Sequence, residues 1–244
     1  MRKIFLSFAA LVLALAASAG VTSAQTVGHT ERDARRAASI VRAPLNLAVL
    51  VQDDLVSHVG NELGVTGEFI RTLPAGSRVL VGYLTAGSLQ VRQPFTADLE
   101  QAARALRIPQ ASEAAAPYNP YVEVLEALRK FDGAGTNRNA VLLVSDGLDT
   151  SRGFDASSTL DSIDLHRAVR EAQRRNVAIY AFYAPSVGLT SYNRTAISFG
   201  QGALNRIADE TGGRAFFQGT NFVTFNAYFD SLRRALNERV ARDS

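Results

Sequence analysis

Asn139-Ala-Val-Leu-Leu-Val-Ser-Asp-Gly-Leu-Asp-Thr150 carries five apolar residues in a row and then breaks into hydroxyl, acidic and glycine positions. A short apolar run without period-two alternation reads as a strand buried on both faces, the kind a parallel sheet needs. Asn46-Leu-Ala-Val-Leu-Val-Gln-Asp-Asp-Leu-Val-Ser57 repeats the design, with Leu47 to Val51 apolar and acidic groups at the exit. Arg78 to Leu84 and Val177 to Tyr183 are two further strands of the same character. Between them lie helical patterns: Val59 to Leu73, Tyr121 to Phe131 with Val124, Leu125 and Leu128 on one face, Ser162 to Arg174, Gly202 to Thr211, and Phe225 to Val240 with Phe229, Leu232 and Leu236 facing a core. A sixth helix is predicted to open at Phe95-Thr-Ala-Asp-Leu-Glu100, capped by Thr96. Strands alternating with helices predict an α/β fold, a doubly wound, mostly parallel central sheet flanked by helices on both sides. Ser88 to Arg92, following the Ala86-Gly87 turn, is predicted as one antiparallel edge strand, and Gly212 to Phe217 as a turn into a last short strand.

The 244-residue chain opens on Arg2 and Lys3, an apolar run from Ile4 to Ala17, and Thr22-Ser-Ala24. That is the pattern of a secretory signal peptide over residues 1–24, too short and wrongly flanked for a membrane span, and it predicts an exported protein, periplasmic or secreted. Its removal leaves 24 basic against 23 acidic side chains, so the basicity of the precursor says little about partners. Residues 25–43 read as a polar, alanine-rich tail and residues 44–242 as a single domain. The paired arginines, such as Arg174-Arg175, lack interleaved aromatics and read as solvated helix faces rather than a nucleic-acid surface. With no cysteine, an exported chain must hold together by its core alone, which about 200 residues can supply.

In open α/β sheets, ligands bind beyond the carboxyl ends of the strands. Asp53 and Asp146 both fall there, with Asp54, Ser57 and Asp149 nearby. Oxygen donors from two adjacent loops suit a hard divalent cation such as Mg²⁺, with Asp53, Ser57 and Asp146 as the metal set. The competing reading is that a carboxylate before the helix at Val59 merely caps it. Catalysis has thinner support. His58 beside the acidic loop reads as a surface residue at a helix start, Ser145 lacks a Gly-x-Ser-x-Gly setting, and a carboxylate-metal hydrolase using Asp53, Asp146 and Asp149 is the enzymatic alternative. Gly60, Gly64 and Gly67 do not form a dinucleotide fingerprint.

The order and spacing of several pieces resemble a von Willebrand factor type A (VWA) domain of the bacterial exported kind. They are the Leu47-Ala-Val-Leu-Val strand leading into Asp53, Leu73-Pro-Ala-Gly-Ser-Arg-Val79, Gln93-Pro-Phe-Thr96, Val124-Leu-Glu-Ala-Leu128, Ala140 to Thr150, Val177-Ala-Ile-Tyr-Ala181 and Leu204 to Phe216. The resemblance implies a Rossmann-like fold and a metal-ion-dependent adhesion site built from Asp-x-Ser-x-Ser, a Thr from a second loop and an Asp from a third. By that pattern Asp53 and Ser57 match the outer members of the first motif and Asp146 the third-loop Asp. Leu55 stands where the first Ser belongs, and Ala114-Ala-Ala-Pro-Tyr-Asn-Pro120 offers no Thr. Two of five ligand positions are thus empty, which predicts a degenerate site that holds Mg²⁺ weakly or not at all, and no other cofactor.

The function expected is non-enzymatic binding of another protein through the strand-end loops. Its candidate face comprises Asp53, Asp54, Tyr118, Asn119, Asp146 and Asp149, since tyrosines near the rim offer large contact area with a polar tip. Metal-bridged adhesion through Mg²⁺ is the alternative, and neither nucleic acid nor a stable membrane span after signal cleavage is expected.

Overall fold

A computed structural model describes residues 41–131, 138–154, 162–217 and 224–243, with side chains to residue 239. The signal peptide and all but the end of the tail lie outside these residues. Within them, a six-stranded sheet runs in the order β3-β2-β1-β4-β5-β6. Its strands are β1 (Leu45–Gln52), β2 (Arg78–Thr85), β3 (Ser88–Thr96), β4 (Arg138–Ser145), β5 (Val177–Tyr183) and β6 (Arg214–Phe216). All neighbours pair in parallel except β2 and β3, which form the antiparallel edge hairpin. The helices are α1 (Val59–Arg71), α2 (Leu99–Arg104), α3 (Pro120–Leu128), α4 (Ile163–Arg174), α5 (Arg194–Glu210) and α6 (Phe225–Asp243). This is a doubly wound, Rossmann-like arrangement of a mostly parallel sheet between helices.

β1 shows why the sheet needs helices on both sides. Every residue from Leu45 to Gln52 is buried, and successive side chains point to opposite faces. Leu47, Val49 and Val51 enter one core with Phe69 and Ile70 of α1, Ala102 of α2, and Phe229, Leu232 and Leu236 of α6. Ala48 and Leu50 enter the other, with Val124 of α3, Val169 of α4, and Leu204 and Ile207 of α5. The first core is fastened by Phe182 of β5, whose ring meets Phe216, Phe225, Tyr228 and Phe229 edge-on at centroid distances of 5.0–5.5 Å. Val41, at the end of the predicted tail, is also buried in it.

Two expected boundaries move. β3 extends through Phe95 and Thr96, so α2 begins at Leu99 and its cap is Asp98, which accepts the Gln101 amide at 2.9 Å. α5 begins at Arg194 rather than Gly202, because the Asn193 side chain accepts the amides of Thr195 and Ala196 and starts the helix early.

Candidate functional site

The period-two geometry that sorts the core also sorts the polar residues at the end of β1. Gln52 and Asp54 continue the face of Ala48 and Leu50; Asp53 continues that of Val49 and Val51. On the first face, the Gln52 amide is the centre of a buried network. Its Oε1 accepts Ser145 Oγ at 2.6 Å and the Asp146 backbone N–H at 3.1 Å, and its Nε2 donates to Asp54 Oδ1 at 2.7 Å. The Asp146 N–H can only donate, so it fixes which way the amide points. The Asp146 carboxylate accepts Leu148 N at 3.0 Å and Thr190 Oγ1 at 3.0 Å, from the short 3₁₀ turn Leu189–Ser191 after β5. That turn is held in place by backbone bonds from Val56 to Pro185 and from Val187 to Asp54.

Close backbone packing lies beneath Asp146. A Cβ on Gly200 of α5 would sit 2.0 Å from the Asp146 carbonyl oxygen, so only glycine lets α5 approach the end of β4. Gly147 adopts φ 74° and would meet the same helix at 2.5 Å. Its carbonyl accepts the buried Tyr121 hydroxyl at 2.6 Å.

Burial, and then the charge of Asp146, push the Asp54 carboxyl up to about 7. Burial likewise raises Asp146, although its hydrogen bonds oppose the shift. Nearby on α3, Glu123 is 2 % exposed, its Oε2 has no hydrogen-bond partner, and burial with the charges of Glu126 and Asp54 raises it to about 9. Asp54, Asp146 and Gln52 form the floor of a cleft of about 290 Å³, with Glu113, Tyr118 and Tyr192 among its walls. The two tyrosines are 59 % and 73 % exposed.

Asp53 lies on the other face and is fully committed there. Arg107 grips both carboxylate oxygens at 2.6 and 2.8 Å, while Gln110 donates its backbone N–H at 3.1 Å and its side-chain amide at 2.5 Å. Arg107 in turn lies over the Tyr83 ring at 4.0 Å. Burial alone would raise Asp53, but the Arg107 and Gln110 bonds and the Arg107 charge overcome it and hold the carboxylate below its ordinary value. Ser57 is exposed and lines no part of the cleft. The expected convergence of Asp53 and Ser57 with Asp146 is therefore replaced by that of Gln52 and Asp54 with Asp146.

The remaining expected residues divide between two hollows. Asp54, Tyr118 and Asp146 meet in the cleft. Asn119 and Asp149 line a smaller neighbouring hollow, where Asn119 caps α3 and donates to Asp164 at 3.0 Å, and Asp149 accepts Ser162 Oγ at 2.6 Å. Leu55 is wholly buried and bridges to Ser186. Gln52 is not among the expected residues, because the carboxylates beside it carry the stronger metal-ligand signal. Counting by twos from Ala48 through Leu50 reaches it directly. Among the described residues, no group of three or more His, Cys, Asp or Glu is placed to hold a metal ion, and no helix is long and apolar enough to cross a membrane.

No protein-family model matches the chain, and no curated protein matches it. Solved structures do. An aerotolerance-related membrane protein from Bacteroides fragilis NCTC 9343, solved with multiple mutations to serines, aligns at 10 % identity and TM-score 0.56 over 80 % of this chain and 99 % of its own. BatB from Bacteroides thetaiotaomicron aligns at 12 % identity and TM-score 0.53 over 81 % and 99 %. The VWA domain of SpRpn10 aligns more loosely, at 10 % identity and TM-score 0.43 over 81 % and 95 %. At these identities the likeness is one of fold alone, a Rossmann-like sheet flanked by helices.

Proposed function

We propose that this is a non-enzymatic protein-binding domain of an exported bacterial protein, docking its partner through the strand-end cleft with weak or absent divalent metal binding. The observation that carries the reading is the Gln52 amide. In the adhesion site of the domains this chain resembles, the end of the first strand supplies a carboxylate to the ion; here Gln52 reaches Asp146 and turns an N–H donor toward Asp54. That donor supplies the positive partial charge a cation would otherwise bring, and Asp53 is spent on Arg107. The residues present do not fit a tightly held Mg²⁺, which needs several unobstructed oxygen donors in near-octahedral array.

A cleft with buried carboxyls at its base and exposed tyrosines at its rim instead suits a lysine or arginine side chain of a partner. The stem packs on apolar wall and ring faces, and the charged head reaches Asp54 and Asp146. The leader pattern at residues 1–24 supports an exported setting. Calorimetric titration with Mg²⁺ and Mn²⁺ tests the metal part, and no micromolar binding is expected. Micromolar binding abolished by Asp146→Ala would overturn it in favour of metal-bridged adhesion.

A further inference from the structure

A second cleft, of about 430 Å³, lies at the opposite end of the sheet, between the β2–β3 hairpin and the end of α3. Asn46 in its wall and Gln52 in the strand-end floor are six residues apart on β1, which places the two clefts about 20 Å apart along the strand. Its volume lies within the range of small-molecule sites, about 300–1,000 Å³.

Three features of this cleft converge. Among the described residues, Arg78, Arg129 and Lys130 line it, no Asp or Glu does, and no ion pair or hydrogen bond engages their side chains. Elsewhere on this domain arginines are mostly paired, as in Arg71–Glu100, Arg107–Asp53 and Arg206–Glu210. Next, the wall is apolar and aromatic. Phe95 packs edge-on to the buried Phe131 at 4.9 Å, and Arg78 lies over the Phe95 ring at 5.6 Å. Last, Asn46 is 7 % exposed; its Nδ2 donates to Asn139 at 3.0 Å, while its Oδ1 has no donor. A buried polar atom without a protein partner on a cleft wall is open to a donor from water or from a ligand.

We infer that this cleft is a ligand site for a small organic anion: a carboxylate or phosphate on a compact aromatic or apolar body, on which a hydroxyl or N–H adds a bond to Asn46 without being required for binding. The three cations hold the anionic group, Phe95 and Phe131 take the body, and Asn46 Oδ1 accepts the ligand's donor where it has one. The site does not depend on the strand-end cleft or on what docks there. Its polarity is also opposite, since one cleft has an acidic floor and the other a basic rim.

Calorimetry with the purified protein would compare 4-hydroxybenzoate and phenyl phosphate with the neutral 4-hydroxybenzyl alcohol and with inorganic phosphate. Both aromatic anions are expected to bind at least tenfold more tightly than either control, and Arg78→Gln with Arg129→Gln is expected to remove at least tenfold of that affinity. Both positions are exposed, so folding is expected to survive, with circular dichroism as the check. Arg129→Glu, a reversal at the surface, is expected to lower affinity further. Equal binding of inorganic phosphate and phenyl phosphate would reduce the site to surface charge and overturn the inference. So would unchanged affinity in the charge variants, or no binding of either aromatic anion.

Discussion

Asp53 and Asp54 are neighbours in the chain and opposites in chemistry. Arg107 is partly exposed while Asp53 is wholly buried, so deleting the arginine leaves a carboxylate stranded in the interior. Arg107→Ala is expected to cost about 3–5 kcal/mol, as for other buried pairs broken on one side, and Asp53→Asn in the same chain should recover part of it. Chemical unfolding of the two variants checks both. The pH dependence runs in two directions. Asp54 and Glu123, raised to about 7 and about 9 from ordinary values of 3.8 and 4.5, hold protons in the folded state that the unfolded chain releases. Their effect is to lower stability as pH rises from about 4 toward 9. Asp53 is shifted the other way, so its contribution is present above pH 3.8 and lost as pH falls through its depressed folded value. Thermal melts are therefore expected to peak near pH 4 and fall on both sides, and a melting temperature that climbs steadily from pH 5 to 9 would contradict the raised carboxyls. Gln52→Glu removes the amide donor facing Asp54 and adds a carboxylate. It is expected to destabilise the metal-free protein by roughly 1–3 kcal/mol at pH 8 and to confer measurable Mn²⁺ binding, both visible in unfolding curves with and without Mn²⁺.

Among the elements, α5 is the one whose position the cleft depends on. A methyl group at Gly200 would collide with the Asp146 carbonyl, so Gly200→Ala is expected to push helix and strand apart at a cost of about 1–3 kcal/mol and to disturb the Asp146–Thr190 contact. A lowered melting temperature, with a shifted amide signal for Leu148, would register both. The strands and most helices were legible because each carries an uninterrupted apolar run or a clear helical face, as β4 and the Val124–Leu128 pattern do. Caps were less so. Thr96 looks like a helix cap until β3 claims it, and Asn193 was passed over although its side chain starts α5. The site was half legible. Asp146 and Asp54 are legible as acidic residues at strand ends and Tyr118 as a tyrosine in a rim loop, whereas the pairing of Asp53 with Arg107 spans 54 residues and leaves no local trace. Gln52 could have been found by the alternation that a fully apolar strand conceals.

Over the whole molecule, the sheet separates two hydrophobic cores that share only its backbone, and each is closed by its own set of helices. Phe182 is central to one of them, touching four other rings. Phe182→Ala is expected to cost about 3–5 kcal/mol while leaving the Gln52 network, on the far side of the sheet, in place. Protection of the Asp146 amide from hydrogen exchange under native conditions, set against global unfolding, separates the two effects.

One step along β1 is all that distinguishes the carboxylate gripped by arginine from the one that titrates near neutrality. Slipping that strand by a single position would exchange two identical side chains, because the guanidinium on one face and burial beside Asp146 on the other set which aspartate keeps its charge. The choice between an anionic socket and a nearly neutral one is therefore encoded in the partners that meet the strand's end, an arginine on one side and a second buried carboxyl on the other.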